Sequence, residues 1–330
     1  MSGSGDITLQ VSNLRTRFGS ERTGVTVVDG VSFALRRGRT TALVGESGCG
    51  KSATALSVMK LLEPPGEVIG GEVKLDGVDI LRLSETEMTS VRGRRIGMVF
   101  QDPMTSLNPL LPIGSQIAET LLAHTELSRA QAGQRAVELL ARVGVTDAAR
   151  RVHDYPHHFS GGMRQRVLIA SAISCSPQII IADEPTTALD VTVQAKILRL
   201  LYDLQQAMHA SLLLITHDLG VVAAMADEVV VMYAGRIVER ADVDTLFHQP
   251  RHPYTKALLA CVEGINDKTA PLEPIEGTAP DLRNAPRGCR FAPRCPVAGD
   301  ICRTVDPQLM PVSGGHDVAC LLVQQEGAHA

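Results

Sequence analysis

The sequence has no tryptophan, and aromatic residues make up only 3% of its 330 positions. Surfaces that stack nucleic-acid bases need aromatic platforms set among clustered Lys and Arg. Here 32 basic side chains stand against 36 acidic ones for a net charge of −4, so no nucleic-acid surface is expected. No apolar run reaches the ~18–20 residues that cross a bilayer. The longest candidates, such as Val229 to Met232 and Ser211 to Ile215, read as buried strands. The first residues, Met1-Ser-Gly-Ser-Gly-Asp6, lack the basic and apolar regions of a signal peptide, and a cytoplasmic chain is expected. No internal repeat is found.

What is present is a globular composition, 44% hydrophobic and 21% charged, in a chain long enough for one large α/β domain and an appendage. From residue 7 to 44 apolar and polar residues alternate, as in Ile7-Thr-Leu-Gln-Val11 and Val31-Ser-Phe-Ala-Leu35. That is the pattern of half-buried antiparallel strands, with turns expected at Asp29-Gly30 and Arg37-Gly38. Another strand is expected at Gly71 to Leu75, turning at Asp76-Gly77. Ser84-Glu-Thr-Glu87 and Ser128-Arg-Ala-Gln131 fit the capping box that starts a helix. Ile117, Leu121, Val137, Leu140 and Val143 fall at helical spacing. Ile179-Ile-Ile-Ala-Asp183 reads as a central parallel strand, and Asp190 can cap the helix after it. Around His248 to Pro253 the composition turns to His and Pro, which places a domain boundary near Ala241 to Gln249.

Gly45-Glu-Ser-Gly-Cys-Gly-Lys51-Ser52 is a complete G-x-x-x-x-G-K-[ST] run between the apolar stretch Thr41 to Val44 and a helix-compatible one from Ala53 to Leu62. Converging backbone N–H groups and a helix N-terminus meet a polyphosphate there, which demands residues without Cβ at the tight approach. Lys51 neutralises β/γ charge and Ser52 places its hydroxyl on Mg²⁺. The sequence thus implies a nucleoside triphosphate as ligand. Asp183 and Glu184, two acids closing an apolar strand, are suited to hold the Mg²⁺ shell and to polarise the attacking water.

Phe159 and Ser160-Gly-Gly-Met-Arg-Gln-Arg166 resemble the L-S-G-G-Q signature of ATP-binding cassette (ABC) ATPases, and the resemblance runs over residues 7 to 240 in the family's order. It implies that Phe18 stacks on adenine and that Gly45, Glu46, Ser47, Gly48, Cys49, Gly50, Lys51 and Ser52 cradle the phosphates. It makes Gln101 the Q-loop glutamine, near catalysis and Mg²⁺ alongside Ser52 and Asp183, and it makes Ala188-Leu-Asp190 the D-loop. His217 becomes the switch histidine at the γ-phosphate. Ser160, Gly161 and Gly162 would cover the nucleotide of an opposite subunit, with Ser160 capping its helix. One phosphate loop and one signature per chain imply two chains meeting head to tail. The implied fold is an α/β P-loop NTPase: a RecA-like core with an antiparallel β subdomain and a helical subdomain at about 102–165, together spanning 1–245, then an extension over 246–330. Two departures stand out. Phe159 and Met163 replace Leu and Gln, but the Ser-Gly-Gly is intact and a working signature is expected. Cys49 lies near Lys51 and a helix N-terminus, surroundings that favour a thiolate open to alkylation, with ATP protecting.

Within the ABC group, Val99-Phe-Gln101-Asp-Pro-Met-Thr-Ser-Leu-Asn-Pro109, Asp183 to Asp190, Thr216-His-Asp-Leu-Gly220 and His252-Pro-Tyr-Thr-Lys-Ala-Leu-Leu259 look like the dipeptide/oligopeptide importer ATP-binding subunits. That resemblance covers nearly the whole chain. It implies a second ATPase subunit, identical or related, two permease subunits, an extracytoplasmic binding protein and a peripheral place on the cytoplasmic face of the membrane. Peptides are the implied cargo, with nickel, oligosaccharides or opines as alternatives. A chromosome-type ATPase is disfavoured because no long coiled coil separates Lys51 from Ser160, and a translation-type one because there is a single cassette.

Four of seven cysteines, Cys289, Cys295, Cys302 and Cys320, crowd the tail with spacing C-x5-C-x6-C-x17-C. In a cytoplasmic protein such a cluster points to a metal site rather than to disulfides. The spacing matches neither a zinc ribbon nor a ferredoxin run, which leaves Zn²⁺, an iron–sulfur cluster or no metal open. The family resemblance implies a structural [4Fe-4S] cluster in a Pro-rich tail expected to lack a core of its own.

Overall fold

The computed structural model describes residues 6–187, 189–266 and 275–327. The sequence readings on the first five residues and on Ala188 lie outside them. The backbone divides into two compact units. One takes Met1–Thr8, Leu35–Arg39 and Arg82–Ile215; the other takes Leu9–Ala34, Thr40–Leu81 and Thr216–Ala330.

The first unit is built on three parallel strands, Ile96–Val99, Ile179–Asp183 and Ser211–Ile215, in that order. Every residue of all three is buried. Parallel strands covered on both faces cannot alternate apolar with polar residues, which is why this segment reads Ile-Ile-Ile-Ala. Around them lie the helices. Both capping boxes form: Ser84 with Glu87 opens Glu85–Thr89, and Ser128 with Gln131 opens Arg129–Arg142. Ile113–His124 buries Ile113, Ile117 and Leu121, one stripe at four-residue spacing. Asp190 accepts from the Val193 N–H at 3.0 Å and starts Val191–Met208, which buries Ile197, Leu201 and Leu204.

In the second unit an antiparallel sheet runs in the order Val25–Arg36, Ile7–Phe18, Gly66–Leu75, Val78–Asp79. Asp76 and Gly77, with φ of 47° and 84°, make its tight reversal. The turn expected at Asp29-Gly30 is absent, because Val25–Arg36 is one unbroken strand. Gly30 has φ of 77° and faces Asn13, itself left-handed at 53°, where the register of the neighbouring strand slips between Ser12 and Arg15. The Asp-Gly pair accommodates a bulge rather than a reversal.

A second strand set of this unit runs Met310–Ser313, His316–Val318, Arg236–Asp242, Glu228–Tyr233, Thr40–Val44. The final pair is parallel and the others antiparallel. Ala234 and Gly235, at φ of 47° and 87°, turn the expected hairpin. The C-terminal segment does not stand apart from this set. Phe291 and Tyr254 pack with Tyr233 at ring-centroid separations of 4.6 to 5.4 Å, in one core with Val44, Val229 and Val231. The tail, short of large apolar residues, borrows the core of the strands beside it.

Charge ties the same segment down. Asp29, with 12% of its side chain exposed, accepts from Arg236 Nε at 3.0 Å and Nη2 at 2.7 Å and also pairs with Arg290, while Arg236 pairs in addition with Asp306. Burial opposes ionisation of Asp29, but the hydrogen bond and charge of Arg236, with Arg290 and Arg15, outweigh it and hold the carboxyl below its ordinary 3.8. A depressed carboxylate stabilises the fold above its unfolded pKa, and that contribution is lost as pH falls through the folded value. Asp29→Asn is therefore expected to destabilise the protein by about 1–3 kcal/mol at pH 7. Thermal unfolding followed from pH 7 down to about 3 should show the gap between variant and parent closing below about pH 4.

Candidate functional site

The phosphate loop belongs to the second unit. Thr40–Val44 is wholly buried and delivers the chain into Gly45, whose φ is 152°. A Cβ on Gly45 would stand 2.1 Å from the Met232 carbonyl oxygen, and one on Gly50, at φ 107°, would stand 2.5 Å from the Val27 carbonyl oxygen. Both positions therefore exclude every side chain, as the sequence chemistry requires. Ser47 and Gly48 are exposed between them. Gly50 precedes Lys51–Val58, and the buried Lys51 donates from Nζ to the carbonyls of Gly45 at 2.8 Å and Glu46 at 3.0 Å. Its charge is thus folded back over the loop, with Ser52 beside it at the helix start. Phe18 ends its strand half-buried against Gly66, its ring 2.8 Å from where a Cβ on that glycine would be. His217 is exposed between the buried Thr216 and Asp218, which caps Leu219–Met225 through the N–H groups of Gly220 and Val221.

Two residues that motif reading missed hold Glu46. Its N–H donates to Tyr254 Oη at 2.9 Å, and its carboxylate takes both arms of Arg294, at 2.8 and 3.0 Å. Arg294 lies 248 positions away. No local pattern signals such a contact, although Tyr254 sits in the His252-Pro-Tyr run of the importer-like segment.

The acids belong to the first unit. Asp183 is buried at the end of Ile179–Asp183, and Glu184 follows with φ of 44°, a left-handed backbone that costs a non-glycine residue about 1–2 kcal/mol. Its own N–H donates to the Ile215 carbonyl at 2.9 Å. The Glu184 carboxylate accepts from Gln101 Nε2 at 3.1 Å and from Thr187 Oγ1 at 2.9 Å, so two of the three residues expected to be catalytic are directly joined. Strain held by hydrogen bonds at a carboxylate is a feature of working sites.

The glycine signature starts the helix Gly161–Ala172, and Ser160 and Gly161 are exposed. Ser160 occupies the N-cap position, but its side chain makes no capping hydrogen bond, contrary to expectation. The helix start is fixed otherwise. A Cβ on Gly162 would come within 2.4 Å of Val193 Cγ1, so the loop presses on the helix that Asp190 opens. Phe159 is buried beneath the Arg151 guanidinium, 5.1 Å from its ring centroid, which suits an aromatic where Leu is commoner.

All four tail cysteines, with His252, Phe291 and Leu321, line one cavity of roughly 10 Å³, about the room of one water molecule. Among the described residues, no group of three or more His, Cys, Asp or Glu stands at metal-holding spacing. Burial pushes the Cys289 thiol up to about 11 and also raises Cys295. His252 is driven down to about 3 by burial.

Comparison with known proteins agrees with these features. Residues 28–187 match the ABC transporter family, and residues 238–302 match the oligopeptide/dipeptide transporter C-terminal region. The chain is 50% identical over 321 residues to the oligopeptide transport ATP-binding protein AppD of Bacillus subtilis, covering 97% of this chain and 98% of that protein. It is 45% identical to the dipeptide transport ATP-binding protein DppD of Escherichia coli, covering 94% and 95%. Among solved structures, a dimer of the ATP-binding cassette MJ0796 in a post-hydrolysis state with ADP and Pi superposes with a TM-score of 0.64 at 27% identity, over 71% of this chain and 98% of that one. The cbiO1 protein of Clostridium perfringens, part of the ABC transporter complex cbiONQ, gives 0.63 at 26% identity, over 74% and 92%.

One sequence expectation is reversed. Cys49 is 5% exposed, and burial raises its thiol pKa despite Lys51, whose Nζ is 4.0 Å from the sulfur. Desolvation of a thiolate outweighs one nearby ammonium whose hydrogen bonds go to carbonyls. Mass-spectrometric mapping after brief iodoacetamide treatment of the folded protein at pH 7 is expected to find Cys49 modified at least ~10-fold more slowly than the half-buried Cys261.

Proposed function

This chain belongs to the ABC ATP-binding proteins of the oligopeptide/dipeptide transporter type, and on that premise we propose that it hydrolyses ATP to power import of di- and oligopeptides through membrane permease subunits. The observation that carries the enzymatic reading is the Glu184 carboxylate, set behind the buried Asp183 and gripped by Gln101 and Thr187.

Each residue's chemistry fits a step. The amides from Gly45 to Ser52 and the start of Lys51–Val58 receive the polyphosphate, and Lys51 exchanges two carbonyls for phosphate oxygens. Phe18 offers a half-exposed ring to adenine. Ser52, Asp183 and Gln101 are the residues that would hold Mg²⁺ through their oxygens. When bound, the ion would supply positive charge against the charge that develops in phosphoryl transfer. Glu184 orients the water and polarises its O–H bond, and His217 reads the γ-phosphate. The transition state of phosphoryl transfer is loose, so positioning and fixed charge do most of the catalysis.

A second cassette completes the reaction. Ser160 and Gly161 are exposed at a helix start, with Gly162 next to them, as groups that cover a partner's nucleotide must be. Closure around ATP excludes water from the site, and loss of the γ-phosphate removes the bridge and reopens the pair. Movement reaches the membrane through the segment around Gln101. There Phe100, Met104, Leu110 and Leu111 are exposed, Leu110 to 81%, an apolar surface suited to a permease helix. Among the described residues no helix is long and apolar enough to cross a membrane, in keeping with a subunit that borrows its pore and lies on the cytoplasmic face. The binding protein and permease choose the cargo. The cassette spans 1–245 in this reading and the extension 246–330.

In the extension, Cys289, Cys295, Cys302 and Cys320 are proposed ligands of a [4Fe-4S] cluster. Four thiols around one cavity support it, and the cluster would supply covalent cross-links to a segment held by few large apolar side chains.

Glu184→Gln is expected to keep ATP affinity, cut hydrolysis by at least ~100-fold, and accumulate an ATP-bound dimer on size exclusion; in cells it should abolish labelled-dipeptide uptake. Hydrolysis at the parental rate would defeat the assignment. For the cluster, anaerobically purified protein should contain about four iron and four sulfide per chain with absorbance near 400 nm. Iron-free, colourless protein with the tail still docked would argue against it.

A further inference from the structure

Arg294 uses every donor it has. Nη1 and Nη2 bond the two Glu46 carboxylate oxygens, Nη1 also reaches Tyr233 Oη at 3.2 Å, Nη2 the Ile275 carbonyl at 3.1 Å, and Nε the Glu276 carbonyl at 2.9 Å. Its side chain is 6% exposed, and that of Glu46 is 27%. The fork geometry of a guanidinium fixes the plane of the carboxylate as well as its position, which an ammonium cannot do. The glutamate so held is the second residue of the phosphate loop. Its backbone N–H is taken by Tyr254 Oη and its carbonyl by Lys51, so all three polar parts of Glu46 are assigned.

We propose that Arg294, with Tyr254, is a positioning residue for the phosphate loop: the C-terminal segment fixes Glu46 and thereby presets the backbone amides that meet ATP. The inference rests on the ATPase reading and deepens it. The tail is then a standing part of the nucleotide site and not only an appendage. Burying a saturated arginine costs desolvation that a purely structural tie does not need. The tail already has other ties: Asp29 with Arg236 and Arg290, and Glu239, fully buried, accepting from Arg251 N, His252 N and His316 Nε2 at 2.7 to 2.9 Å. Those contacts keep the segment docked when Arg294 is altered, which separates loop positioning from tail folding.

The test is titration of the full-length protein with Mg-ATP, together with thermal unfolding and steady-state kinetics. Arg294→Gln and Glu46→Gln should each weaken ATP binding roughly tenfold, and the double variant should be no weaker than either single one. Arg294→Lys should recover part of the loss, and Tyr254→Phe should weaken binding several-fold. KM should rise in each while kcat at saturating ATP stays within about twofold, because the loop is set before chemistry. If Arg294→Gln fails to fold, Glu46→Gln and Tyr254→Phe probe the same contact from the loop and from the helix Pro253–Asn266. Unchanged ATP affinity in these variants, with or without a lower Tm, would overturn the proposal. Lys51→Ala is the control. If the parent protein binds no Mg-ATP, the ATPase reading itself has failed; if the parent binds and Lys51→Ala does not, the affinities of the variants bear on Arg294 alone.

Discussion

A nucleotide's phosphates carry more charge than side chains can meet in so small a space, so backbone amides must meet it, and that demand governs the second unit. At Gly45 the chain runs so close to Met232 that a single added carbon would meet the carbonyl oxygen at 2.1 Å. The loop is therefore bound to the strand Glu228–Tyr233, and Gly235 N–H donates to the Cys49 carbonyl at 2.8 Å on the far side of the hairpin. Whatever stabilises that hairpin also shapes the loop.

The C-terminal segment stabilises it. Tyr233, the last residue of Glu228–Tyr233, is sandwiched with Tyr254 and Phe291, and Arg294 lies 5.8 Å from its ring centroid. Burying two or three aromatic side chains contributes several kcal/mol, comparable to the net stability of a whole domain. Phe291 and Arg294 fall inside the run from Cys289 to Cys295, so the thiol cavity and the phosphate loop share a seven-residue segment. A tail poor in apolar residues can fold this way because the core it enters is already formed by Val44, Val229 and Val231.

Motif chemistry was legible wherever one residue type alone satisfies a local demand. Gly45 and Gly50 are glycines because neighbouring carbonyls leave no room, and Ser84, Ser128 and Asp190 cap helices because their oxygens reach the third N–H along. Legibility failed where tertiary context overrides the local signal. Asp29-Gly30 has turn composition, yet its carboxylate is claimed by Arg236 and its glycine by a bulge. Cys49 has electrostatic neighbours that favour a thiolate, but only coordinates reveal the burial that outweighs them. Ser160 has cap composition and makes no side-chain cap, and Gly162 two residues on is seated against Val193 instead. The pairing of Glu46 with Arg294 has no sequence signature at all.

These contacts determine how binding energy can be used. Lys51 already satisfies two carbonyls, so in the proposed role ATP would not bring a free ammonium its first partners; it would replace them, and the net gain would be the difference between phosphate and carbonyl as acceptors. Such an exchange is favourable only if the loop need not be ordered at the same moment, because fixing each backbone residue costs about 1–2 kcal/mol. With Glu46 held by Arg294 and Tyr254, that ordering is complete before nucleotide arrives. The acid pair is prepared in the same sense: Glu184 is kept in a strained backbone state by its own N–H bond to Ile215 and by Gln101 and Thr187 at its carboxylate. In the proposed reaction, a preset loop strengthens binding without regard to the stage of reaction, whereas a preset carboxylate would act on the water only as the γ-phosphate departs. On the proposed roles, affinity and turnover fall to different residues, and it is the affinity group that the C-terminal segment holds.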